Sequence, residues 1–501
     1  MIFSPAVLFS LSIAYLGMLF LLAHASEKGW LPLRWVRHPA VYTLALGVFI
    51  SSWGLYGVVQ FAADFGYNFL AFYMGLSGAF LVAPMFLQPV LRLAKTHQLH
   101  SLPDLLAFRF RSQGVGSIAT LAILVGVMPL LTAQMQTMAD LVYLLTGGHS
   151  SRSMGAFFSG VLICFTLFFG TRQRNTRGLS HDGLVIAIAV ESLIKLIAML
   201  AVVSYAYFGI LGGESGLGQW LTENPGALHQ LYQPLQGGYW HSLLLLFFFA
   251  AVVMPCMYQM AFTENREPRD LVTASWGVPL YFMLMAIGVP ILLWAGEALQ
   301  LNLPPSYYSL GIALHSESPW MTLILFVGTL AASSGILIVT TLALANMLLN
   351  HVLLPIRGLS TEDDLYQRTL RQQRLLIAFI PSAAFLISWL PALKPDSTEM
   401  SMLSFVATIQ LAPSLLALLF WPRATSAGVI SGLAAGILIW FITLVMPAFF
   451  MPELDASAWL GLEVSNQLAH WQAMGLIATL VNIALLLAVS LLSKQSADDK
   501  E

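Results

Sequence analysis

Nineteen of the 22 Lys and Arg residues lie in, or at the edges of, alternate gaps between long apolar segments. Cytoplasmic loops of membrane proteins carry that excess, so the pattern constrains class and orientation together. The basic gaps hold Lys28, Arg34 and Arg37, then Arg92, Lys95, Arg109 and Arg111, then Arg172, Arg174 and Arg177. Arg266 and Arg269 follow, then Arg357, Arg368, Arg371 and Arg374, then Arg423, and finally Lys494 and Lys500. The gaps between are acidic or neutral, with Asp64, Glu214, Glu223, Glu297, Glu317, Asp396, Glu399, Glu453, Asp455 and Glu463. Arg152 and Lys394 depart from the rule, and Lys195 lies within a segment.

Composition agrees. Of the 501 residues, 58% are hydrophobic and 9% charged, against roughly 25% charged in soluble domains. A net charge of -2 gives no basic surface for nucleic acid. Cys164 and Cys256 both sit in apolar runs, without a metal spacing or a disulfide framework. There is no nucleophile motif and no His/Asp/Glu cluster in a span, so an enzyme is not expected.

A span needs about 20 apolar residues to cross roughly 30 Å of hydrocarbon. Thirteen stretches qualify: 5–24, 41–63, 68–92, 118–146, 154–171, 183–212, 240–262, 271–297, 318–351, 374–393, 401–421, 424–450 and 470–493. No positive charge precedes the first, and three follow it, which is the reverse of a signal peptide. The expectation is a retained helix with an outside N-terminus and a cytoplasmic C-terminus. The gaps 213–239 and 298–317 read as external loops with short interfacial helices, and 93–117 as an amphipathic stretch along the inner surface.

Irregular backbone in a membrane is tolerated only where it lines a cavity or is buried in protein. Three segments have the composition for it. The second runs Gly47-Val48-Phe49-Ile50-Ser51-Ser52-Trp53-Gly54-Leu55-Tyr56-Gly57; the seventh has Met254-Pro255-Cys256-Met257-Tyr258-Gln259; the ninth has Leu330-Ala331-Ala332-Ser333-Ser334-Gly335. Small residues also pack helices closely, and proline also merely kinks one. However, segments two and seven are five apart, and an odd-membered unit repeated once must lie inverted. Interrupted helices at matching positions of inverted halves point to the site of a secondary transporter.

Within the spans, Glu191 and Lys195 are spaced i, i+4 on one helix face, where each charge costs roughly 2.5–3.5 kcal/mol alone. Mutual neutralisation is expected, as a structural pair or as a gating or coupling pair. Gln134 could face a polar cavity, Gln136 a neighbouring helix, and Asp140 lies towards the outer end of the fourth segment. His181 and Asp182 fall at the inner boundary, where solvated charge is ordinary.

Ser51-Ser52-Trp53 with Gly57, and Leu330 to Ser334, resemble stretches of the sodium/solute symporter family. That resemblance covers almost the whole chain. It implies an all-α integral membrane protein of about 13 transmembrane helices with a LeuT-like 5+5 inverted repeat. On that plan residues 1–40 hold the first helix and its loop, and 41–212 and 240–421 the two five-helix repeats. Two further helices then occupy 424–493, before a tail at 494–501. The resemblance further implies a sodium ion held by the Ser333 and Ser334 hydroxyls and the carbonyls of Leu330, Gly47 and Ile50, with no organic cofactor. Phe49 stands where sodium/proline symporters carry an acid, and Met254-Pro255 replaces the family's Gln-Pro.

A second set of stretches resembles the symporter-like membrane domain of CbrA-type sensor histidine kinases. They are Arg37-His38-Pro39 with Tyr42-Thr43-Leu44, Phe108 to Ser112, Glu191 to Lys195, Glu264-Asn265 with Pro279-Leu280-Tyr281, and Lys494-Gln495-Ser496. This resemblance implies a bacterial-type inner membrane, with a cytoplasmic kinase domain and a response regulator as partners.

The resulting expectation is a cation-coupled importer of a small organic solute, an amino acid such as histidine or proline or a carboxylate such as acetate. Ser51, Ser52 and Gln134 would hydrogen-bond the solute, with Trp53 and Tyr258 as walls. The rival expectation is a receptor that binds without translocating.

Overall fold

The computed structural model describes residues 3–148, 160–161, 164, 166–167, 182–232, 239–357, 365–389, 395–451, 453, 461 and 467–493. Every regular element among them is helical. In hydrocarbon a helix satisfies its own backbone, which is what these apolar runs require. The helix ends are marked by local chemistry. His38 accepts from the Ala40 amide ahead of Pro39, Ser112 from Val115, Asp396 from Glu399, and Thr425 from Gly428.

Eight of the described helices are long and apolar enough to cross a membrane, and two bent pairs raise the number to ten. The fold is that of a multi-pass membrane protein. Three of the thirteen expected spans need comment. The third is split, with Leu70–Leu81 separated from Leu87–Thr96 by a turn, while Gly66, at φ 55°, ends Val58–Phe65 in the gap before it. The fifth lies mostly outside the described residues, as does His181. The tenth is Leu365–Ser388, whose first turns carry three arginines.

The two bends lie in segments two and seven. Pro39–Phe49 lies at 75° to the stretch Trp53–Leu81, which runs on past Gly66 into segment three, and Tyr239–Val253 meets Pro255–Thr263 at 50°. Ile50 (φ -72°, ψ 90°) and Met254 (φ -72°, ψ 129°) leave helical geometry at the two breaks. The turn Leu46–Phe49 packs on the short helix Pro255–Tyr258, so the broken helices touch where they are broken. The Tyr42 hydroxyl fastens them by donating to the Ala261 carbonyl at 2.8 Å.

Segment nine departs from its expected irregularity: Pro319–Leu348 runs unbroken through Leu330–Gly335. Ser334 donates back to the Leu330 carbonyl four residues earlier, at 2.7 Å, as a serine inside a helix does. Gly335 serves close approach instead of a break, because a Cβ there would stand 2.5 Å from Glu191 Oε2. This helix is the centre of the bundle. Its most apolar window is 83% buried, against 33% for Pro5–Glu27 and 28% for Gln467–Leu492.

The long gaps contain short helices at Gly213–Glu223, Pro225–Tyr232 and Tyr308–His315. The stretch 93–117 divides among the end of Leu87–Thr96, the helix Leu102–Arg109 and the start of Gln113–Leu145.

Candidate functional site

The first break begins the site. With Ile50 extended, Ser51 and Ser52 lead into a new half-helix whose first amide groups lack helical acceptors. Ser51 Oγ accepts from the Trp53 amide at 3.2 Å. Gln134, from Gln113–Leu145, caps Ser52: its Oε1 accepts from the Ser52 amide at 3.0 Å and from the Ser52 hydroxyl at 2.8 Å. Gln134 Nε2 donates to the Leu130 carbonyl at 3.1 Å, which fixes the orientation of the amide. Thr137, one turn on, lies 3.4 Å from Ser52 Oγ. Ser51, Ser52 and Gln134 thus lie together as one polar cluster, fully buried.

Beside it stands an aromatic cage. Trp53 packs against Phe72 at 4.7 Å between centroids, Phe405 at 5.5 Å, Phe61 at 5.9 Å and Phe247 at 6.2 Å. Phe49 joins it, stacked on Phe72 at 5.3 Å. The Trp53 indole N–H is buried here without a hydrogen-bond acceptor among the described residues. A buried indole normally finds one. Tyr258 belongs to the second break; its ring meets Phe262 and its buried hydroxyl also lacks a partner.

On the other side of the same break lies a charged cluster. Lys195 Nζ donates to the carbonyls of Gly47 and Ile50, at 2.9 Å each. Those carbonyls are available only because the helix is interrupted. Glu191 Oε1 accepts from Ser334 Oγ at 2.5 Å and from the Tyr15 hydroxyl at 2.9 Å, while Oε2 is buried without a partner. Glu191 and Lys195 therefore compensate one another's charge across one turn without a direct ion pair; each spends its hydrogen bonds elsewhere. Ser333 is buried with its hydroxyl unpartnered.

Both ends of the site are tied. At one, the Tyr307 hydroxyl donates to Asp140 at 2.9 Å, and Tyr56 and Thr329 share a hydrogen bond of 2.5 Å. At the other, the basic end, Asp182 is ion-paired with Arg266, and Lys95 Nζ donates to the Arg266 carbonyl at 2.7 Å. Nearby, His351 Nε2 lies 2.7 Å from Asp104 Oδ1. Burial pushes the Asp104 carboxyl up, but the His351 hydrogen bond and charge, with help from Ser101, outweigh it and hold the group below its usual range. Asp182 is thus a tie between elements and not simply a solvated charge.

The geometry can be set against known proteins. No family model and no curated protein matches the sequence. A solved Na+-coupled sialic acid symporter, in its substrate-bound outward-open state, superposes with a TM-score of 0.68 at 13% identity, covering 98% of this chain and 99% of that one. The chain has a LeuT-like fold. A manganese transporter mutant from Eremococcus coleocola matches over 93% of this chain and 95% of that one at 13% identity, but its TM-score of 0.48 carries no weight.

In a LeuT-like frame the sodium ion expected from the sequence can be tested against the residues. Two of its five oxygens, on Gly47 and Ile50, already accept from an ammonium. A third, on Leu330, lies 2.7 Å from Ser334 Oγ, whose single proton it shares with Glu191 Oε1. A second monovalent cation on the same two carbonyls would stand within about 4 Å of Nζ, a repulsion of about 4 kcal/mol at an effective dielectric of 20. The residues do not fit a sodium ion alongside a charged Lys195. Sequence reading missed Tyr15, Thr137 and the four phenylalanines around Trp53. Neither carried a signal in the sequence: the first helix is apolar all round, so nothing marked the face that holds Tyr15, and the phenylalanines are spread from Phe61 to Phe405.

Proposed function

We propose that this chain is a secondary-active carrier that imports a small organic solute through a site at the first helix break. The solute class is an amino acid, such as histidine or proline, or a short carboxylate such as acetate. The observation that carries the reading is the Gln134 cap on Ser52. A side-chain oxygen holds the amide and hydroxyl at the start of a half-helix, where the positive end of the helix dipole favours an anionic group. A solute carboxylate taking over those donors would release Gln134, and the unpartnered Trp53 N–H would supply a further donor beside it.

The experiment is uptake of labelled histidine, proline and acetate into proteoliposomes, with parallel binding measurements. Accumulation of one of them supports the carrier; no binding of any of the three removes the solute class. Binding without accumulation favours the second reading, a receptor that reports solute through a cytoplasmic kinase domain and response regulator. What favours that reading here is Lys195, because a cation fixed to the chain cannot be carried across with the solute.

A further inference from the structure

We infer that the Lys195 ammonium is this protein's built-in cation, standing at the carbonyls where the sequence led us to expect sodium, so that solute binding and folding need no sodium. The inference rests on the site of the carrier reading and removes sodium as its driving ion, so accumulation would have to draw on another gradient; its geometry stands without any solute.

Three observations meet. The unwound turn of the first broken helix exposes two carbonyls, on Gly47 and Ile50, and both accept from one lysine 148 and 145 residues away in sequence. Lys195 is fully buried, so its charge is compensated locally or not at all. That compensation is built around it. Glu191 lies one turn earlier on the same helix and is held in place from two other helices, by Tyr15 of the first and Ser334 of the central one.

The groups that would have completed a sodium shell are accounted for as well. The Ser334 hydroxyl is turned to Glu191 and to the Leu330 carbonyl, leaving Ser333 as the one hydroxyl of the pair without a partner. A mobile ion is drawn to such carbonyls because the Ile50 carbonyl points away from any helical donor and the Gly47 carbonyl keeps one lone pair free beside the Ile50 amide, 3.1 Å away. A tethered ammonium does the same work permanently and also ties Asp182–Ser204 to the first break.

The test is a melting-temperature titration of the purified full chain with sodium chloride, against choline chloride at equal ionic strength. A bound ion stabilises by mass action, so a sodium site would show as a saturable rise. The wild-type protein is expected to show no sodium-specific rise. Lys195→Ala, which uncovers the Gly47 and Ile50 carbonyls, is expected to gain one of about 2 °C or more. A saturable sodium-specific rise in the wild type, lost in Ser333→Ala, would overturn the inference; so would a folded Lys195→Ala that sodium leaves unchanged. Should Lys195→Ala fail to fold, the wild-type titration decides alone. Because no solute enters the titration, its failure is distinguishable from failure of the carrier reading.

Discussion

Ser52 donates twice to one acceptor, and Asp104 is held by His351 on one oxygen and by the His100 amide on the other; both arrangements make sharp expectations. Ser52→Ala removes one of the two donors at the half-helix start, so solute affinity should fall about tenfold, equivalent to ~1.4 kcal/mol. Isothermal titration with the solute identified by uptake checks this, and unchanged affinity would move the site elsewhere. Asp104 has a carboxyl held below 3.8. A depressed carboxyl binds fewer protons folded than unfolded, so its contribution is complete above about pH 4 and lost as pH falls through the folded value. Asp104→Asn should therefore lower the melting temperature at pH 7, by roughly 1–3 kcal/mol of stability. It should also flatten the decline expected of the wild type below pH 4. A parallel decline in both proteins would show that this carboxylate is not its source.

Among the elements, the central helix Pro319–Leu348 shows how one composition supports two readings. Ser333-Ser334-Gly335 looks like a helix breaker in sequence, yet the helix is continuous and Gly335 is there to admit Glu191. Gly335→Ala should cost about 1–3 kcal/mol through overpacking. Gly17→Ala, in the first helix with nothing within 4 Å of the new Cβ, should be neutral or stabilising by about 0.5–1 kcal/mol. Thermal melts of the two variants separate a packing glycine from an indifferent one; equal effects would count against the role given to Gly335. The Gly47–Gly57 and Met254–Gln259 stretches, by contrast, are broken where their glycines, serines and proline suggested. At the first of these the freed backbone groups have partners waiting from other helices, Lys195 and Gln134, which the central helix does not need.

At the scale of the whole molecule, the site is closed at the Asp140 end by Tyr307 and by the Tyr56–Thr329 bond. Tyr307→Phe removes the donor to Asp140 and should open that path. With exposed Cys164 changed to Ser, a Thr329→Cys reporter, which already lacks the Tyr56 bond, should react several-fold faster with a hydrophilic maleimide when Tyr307→Phe is added than without it. Unchanged labelling would mean that another contact closes it. Apolar runs long enough to span, charges sorted between them and two interruptions five segments apart are local properties, and they were readable from the amino acids. They led to an all-helical membrane bundle with paired broken helices. What Lys195 touches was not readable. Its i, i+4 spacing pointed to Glu191, whereas its partners are carbonyls 148 and 145 residues away. A backbone carbonyl has no letter in a sequence, and it becomes a ligand only when a helix unwinds beside it. The packing of distant helices against one break decided which cation those carbonyls hold.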